Sequence, residues 1–131
     1  MGIVAGVVAH LTAQGVQDVL AHRRWVDPVA GGSVVVVTSE STWAAGTGSA
    51  EYPLVKVLIY SASSPGQEDA ESVGEPVADA VRRALHVLDG HAHQWGDVRV
   101  IASQFVGASL ADVEGRDELR VRTVAFEMQT A

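Results

Sequence analysis

The chain has no cysteine among its 131 residues. A disulfide scaffold, a thiolate zinc or iron–sulfur centre and a cysteine nucleophile are therefore excluded. Aromatic residues make up only 5%, so Val and Ala must supply most of the core. Basic residues are scarce too: nine Lys and Arg stand against 16 Asp and Glu, a net charge of −7. Proteins that grip phosphate backbones usually carry the opposite sign, so no specific nucleic-acid binding is expected. No apolar run approaches the roughly 20 residues that span a bilayer, and no membrane partner is expected. Met1 leads straight into an amphipathic stretch with no basic n-region, so no signal peptide is expected and synthesis is placed in a cell's cytoplasm.

What is present is a globular composition, 47% hydrophobic and 19% charged. The length suits a single domain spanning 1–131, with a core that needs no covalent staples. There is no internal repeat and no low-complexity tail.

Hydrophobic period sets the elements. Ile3, Val4, Val7, Val8 and Leu11 form one stripe at helical spacing, so residues 2–13 read as a helix stopped by Gly15. Val16 to Trp25 is ambiguous, with a short strand as one reading. Asp27-Pro28 and Gly31-Gly32 signal turns. Val34 to Thr38 is β-branched and reads as a strand. Ser39 to Glu51 is small and polar and reads as a long loop. Tyr52 to Ser61 alternates apolar residues on both faces, interrupted at Lys56, and is the clearest strand. Residues 75–89 read as a helix carrying Val77, Val81, Leu85 and Leu88, with Pro76 in its first turn and Gly90 after its end. His91 to Asp97 is a polar connection. Val98 to Val106 and Leu119 to Gln129 are strands, joined by a long loop over 107–118.

The expected fold is α+β: a small, mostly antiparallel or mixed sheet of four to five strands, with two helices packed on one face. Several strands are apolar on both faces. The uncovered face then needs a second subunit or the long loops.

Catalytic signatures are missing. There is no Gly-x-Ser-x-Gly elbow. Gly46-Thr47-Gly48 is a lone Gly-x-Gly with no helix after it. Glu68, Asp69 and Glu71 precede a helix, where acidic residues are ordinary. His86, His91 and His93 cluster beyond the second helix, but their spacing fits a solvated helix end better than a zinc site. His10 and His22 are isolated and read as structural. The basic concentrations are Arg23-Arg24 and the group Arg116, Arg120 and Arg122, interspersed with Glu114, Asp117 and Glu118; alternating signs of this kind suit ion pairs between subunits as readily as a nucleic-acid face, and a solvated surface accounts for them as well. No enzymatic activity, cofactor or metal is expected.

Tyr52–Ala62, followed by Ala78–Leu85, resembles the central strand and helix of phage tail terminator proteins. Val98–Ile101, Val106-Gly107, Asp112 and Arg120–Met128 are similar to that family's closing hairpin. The resemblance implies a non-enzymatic virion protein at the head-proximal end of a tail, assembled in the host cytoplasm. It implies a homo-oligomeric ring, commonly a hexamer, which stops tube polymerisation and offers a face to the capsid connector while genome DNA passes through its hole. The implied partners are further copies of the chain, the tail tube protein and the head–tail connector protein. The competing readings are another neck or tail-completion protein and a small-ligand-binding α+β domain. Lys56, Arg120 and Arg122 are the expected polar contacts between subunits, and Trp43 marks the 39–51 segment as one that orders on docking.

Overall fold

The computed structural model describes residues 2–21, 24–44, 51–66 and 69–131, and only the backbone of 41–44 and of 51. Helix α1 (Ile3–Ala13) buries Gly6, Val7 and Leu11. A short strand, β1 (Val19–Ala21), follows. Two 12-residue strands come next, β2 (Ser33–Ala44) and β3 (Glu51–Ala62). Helix α2 (Ala70–Leu85) leads to β4 (His93–Trp95), β5 (Val98–Val113) and β6 (Arg116–Thr130).

The fold is α+β as expected, with a mixed sheet of six strands instead of four to five, in the order β1-β2-β3-β6-β5-β4. β1 realises the short-strand reading of 16–25, and β4 is the strand that was not expected; both are three-residue edges, too short to show a period. Only β1 and β2 run parallel; every other neighbouring pair is antiparallel. Among the described residues no helix is long and apolar enough to cross a membrane.

One continuous core lies between the helices and one face of the sheet. Val35 and Val37, Val55, Val57 and Ile59, and Val124, Phe126 and Met128 meet Val7 and Leu11 of α1 and Val81 and Leu85 of α2. All are essentially inaccessible to water. At about 1.5–3 kcal/mol per buried aliphatic or aromatic side chain, this layer is the main stabilising term. The sheet curls around α1, which touches β1 and β2 at one edge and β4 at the other. Register shifts at Val100/Ala102 and Phe105/Gly107 bend β5, as bulges do, and allow that closure. Gly6 makes the contact possible: a Cβ there would lie 2.6 Å from the Trp95 carbonyl oxygen.

Several sequence expectations need correction. Residues 39–44 are not loop: β2 continues to Ala44, paired with β3 through Ser41↔Pro53 and Ala44↔Glu51. Backbone pairing holds this polar stretch in a strand without apolar alternation. Residues 45–50, Gly46 and Gly48 among them, lie outside the described residues. Residues 107–118 are likewise not a long loop but the far half of a β5–β6 hairpin, closed by the two-residue turn Glu114-Gly115. Gly115 adopts φ +74°, which the turn requires and a side chain would resist.

Helix α2 starts five residues earlier than its apolar stripe suggests. The Asp69 carboxylate accepts from the Ser72 N–H at 2.7 Å and caps it. Pro76 therefore sits inside the helix and not in its first turn. The helix also stops before Leu88, which is exposed, and Gly90 is not its end signal. Instead Val87 leaves the helical path and exchanges two backbone hydrogen bonds with Ser103. The 91–97 connection contains β4, and its Trp95 is buried.

Candidate assembly surfaces

The face of the sheet turned away from the helices carries Val34 and Val36 on β2, Leu54, Lys56, Leu58 and Tyr60 on β3, and Val121, Thr123 and Ala125 on β6, as their register pairs require. Part of it is closed by the connection between β1 and β2. The Trp25 ring meets Tyr60 edge-on at 4.7 Å, and its indole N–H donates to Asp27 at 2.9 Å. Gly31 N–H donates to the Ala62 carbonyl, and Ala62 N–H to the Gly32 carbonyl. Val34 and Val36 are buried beneath this region, whereas Leu54, Leu58 and Tyr60 are less completely covered. The connection itself exposes Trp25, Val26 and Val29.

The candidate contact residues fall at separate places. Lys56 lies on this outward face and pairs with Glu40 across the strands at 3.4 Å. Arg120 pairs with its cross-strand neighbour Asp112 in the hairpin. Arg122 turns toward the helices, where one guanidinium N–H reaches the Glu71 carbonyl at 3.4 Å. Trp43 is on β2, its side chain outside the described residues. Arg116 donates to Glu118 and to Asp27, tying the hairpin to the β1–β2 connection. That donation holds the Glu118 carboxyl below its usual range. Of the other basic and acidic positions, His22, Arg23 and Glu68 lie outside the described residues.

The histidines do not converge. His93 pairs with Asp89 at 2.9 Å. Asp89 also accepts from the His91 N–H, and the two contacts lower its pKa. His86 caps α2 and lines a different cleft with Arg82, Arg83, Asp79 and Phe105. Among the described residues no three metal-ligating groups come together.

His10, read as structural, joins three elements. Its Nε2 lies 2.8 Å from the Ala84 carbonyl of α2 and donates to it. Its ring stacks on Trp95 of β4 at 4.3 Å, within 10° of parallel. Burial lowers its pKa, more than the bond to Ala84 raises it; His93 adds a smaller repulsion. Its link to Trp95 was invisible in the sequence, because the two lie far apart along the chain and neither belongs to an apolar stripe.

A cleft of about 490 Å³ lies between the end of α1, the 29–33 turn and α2. Val16, Val73 and Val77 line it together with Gln14, Gln17 and Asp18. Polar and apolar groups thus share its wall, as they do in clefts that bind small molecules.

No family model matches this sequence, and no curated protein does. Solved structures do match. A chain from the virion of a native gene transfer agent (GTA) particle superposes with a TM-score of 0.65 at 18% identity, over 92% of this chain and 83% of that one. At that identity the likeness establishes a common fold across almost the whole chain.

Proposed function

We propose that this chain is a non-enzymatic structural protein of a virion, acting as a tail terminator: a ring on the end of the tail tube that stops polymerisation and offers a joining face to the head. The observation that carries the reading is the fold shared with a chain of a virion particle over 92% of the length. The distribution of surface supports it, since an incompletely covered apolar sheet face and an exposed apolar connection are what a subunit presents to its neighbours. A ring satisfies such a face through a head-to-tail contact that closes on itself. Lys56, Arg120 and Arg122 are the proposed polar contacts between copies, and Trp43 lies in the proposed contact region of β2.

The acidic balance fits a passage for DNA. With −7 per subunit, a lumen repels phosphate and lets the duplex slide without sticking. A sub-micromolar affinity for duplex DNA at physiological salt would remove this part of the proposal.

The deciding experiment adds purified protein to growing tail tubes. The terminator reading predicts that tubes stop lengthening and carry a ring at the head-proximal end in electron micrographs. Binding to the capsid connector alone, with tubes still growing, reassigns the protein to the neck.

A further inference from the structure

Two long strands each have an edge with no strand beside it among the described residues. On β2, β1 pairs only with Val35–Val37, so the edge from Thr38 to Ala44 is open. On β5, β4 pairs with Val98–Val100 and Val87 bridges Ser103, so the edge from Gln104 to Val113 is open. Such edges invite pairing, and folded proteins usually blunt them with Lys, Pro or inward charges. Neither edge carries a Lys or a Pro. Glu40 is the one charge on the β2 edge and Asp112 the one charge on the β5 edge. Val106 and Leu110 on β5 are large apolar residues left exposed.

We infer that the β5 edge over Gly107–Ala111 pairs with the β2 edge over Thr38–Thr42 of a second copy of this chain. The inference rests on the ring reading and names its contact.

Direction, facing and offset agree. Through β3 and β6, β5 runs opposite to β2. A neighbour generated by rotation about an axis near the strand direction therefore brings its β2 antiparallel to β5, and the contact is head-to-tail, as a ring requires. Within one chain Ser109 lies level with Val36, through Thr123 and Leu58. Direct lateral docking at that level is blocked by the neighbour's β1, which occupies Val35–Val37. Keeping the helix-covered faces on the same side demands an even shift, because side chains alternate. A shift of two still sets β1 against Leu110 and Ala111. A shift of four moves β1 past Ala111 to the level of Asp112–Glu114, where β5 breaks register before its turn, and places Glu40 opposite Ser109.

Four residues correspond to about 13 Å along the strand, and one copy repeats across it every four strand spacings, the contact included, or about 19 Å. A planar ring absorbs that offset by tilting its strands by about 35°, within the 35–45° typical of closed barrels.

The absence of cysteine makes the test clean. Within one copy β2 and β5 are three strand spacings apart, about 14 Å, far beyond disulfide reach. A Glu40→Cys, Ser109→Cys double variant can therefore cross-link only between copies. Under mild oxidation of the assembled protein the expected result is a covalent ladder ending at the ring size, with neither single variant cross-linking alone. Dimers from Ser109→Cys alone would overturn the inference in favour of a two-fold β5–β5 contact. Wild-type rings seen by native mass spectrometry, with no ladder from the double variant, would overturn this pairing and leave the ring reading standing. A wild-type chain that stays monomeric with and without tail tubes would overturn both. As a second readout, Ser109→Glu should weaken assembly relative to Ser109→Lys by up to about fivefold, since each faces Glu40 of the neighbour; equal assembly of the two contradicts the register.

Discussion

The two faces of the sheet draw on similar residues and reach different ends. Toward the helices, Val35, Val57, Ile59 and Phe126 are wholly buried. On the opposite face Leu54, Leu58 and Tyr60 of β3 stay partly open, with Tyr60 meeting Trp25 of the β1–β2 connection. Hydrophobicity alone therefore does not mark the core here. Cover by the two helices separates these two groups, and the partly open remainder is the surface on which assembly is proposed.

The largest expected effect breaks the covered face. Phe126→Ala should destabilise the monomer by about 3–5 kcal/mol, and Leu58→Ala on the open face by less than half of that, read from denaturant midpoints. Equal losses would mean that the outward face is as closed as the core. The comparison sharpens at Gly6, where α1 meets β4. Gly6→Ala forces a methyl against the Trp95 carbonyl and should cost about 1–3 kcal/mol, although Ala favours a helix elsewhere.

His10 gives a smaller, pH-dependent effect on the same seam. Burial keeps its folded-state pKa below 6.5, so the unfolded chain takes up a proton first as pH falls. Its contribution is intact above about pH 6.5 and is lost progressively below it, down to the folded-state value. A His10→Gln variant should melt with a flatter pH profile between about pH 7 and pH 5. A profile as steep as that of wild type assigns the loss to other groups. Smallest is the Arg120–Asp112 pair, exposed in the hairpin; Arg120→Ala should leave the monomer's melting temperature nearly unchanged and, if Arg120 serves the contact between copies, reduce assembly.

The same division explains what was legible in the sequence. The stripe of α1, the alternation of β3 and the antiparallel closing pair all report burial against a partner inside the chain, and each is found in the structure. Ser39–Ala44 and Gly107–Val113 were not legible as strands. Apart from Trp43, Leu110 and Val113 their residues are small or polar, and a backbone ladder that holds a strand by hydrogen bonds imposes no hydrophobic period. The start of α2 carried a signal that the proline obscured: Asp69 three positions before Ser72 is a cap, whereas Pro76 marks no beginning. Trp95 was hidden for another reason, since a three-residue strand is too short to show alternation. The fold was thus readable where the chain buries itself. It was unreadable along the edges proposed to pair between copies.

In the proposed assembly, copies of this chain complete one another's sheet. Native mass spectrometry of the wild-type protein, free and after incubation with tail tubes, tests it most directly. A discrete closed oligomer, a hexamer by the resemblance, is expected in at least one of the two conditions. A monomer in both, carrying a tightly held small molecule in the cleft between α1 and α2, would contradict it.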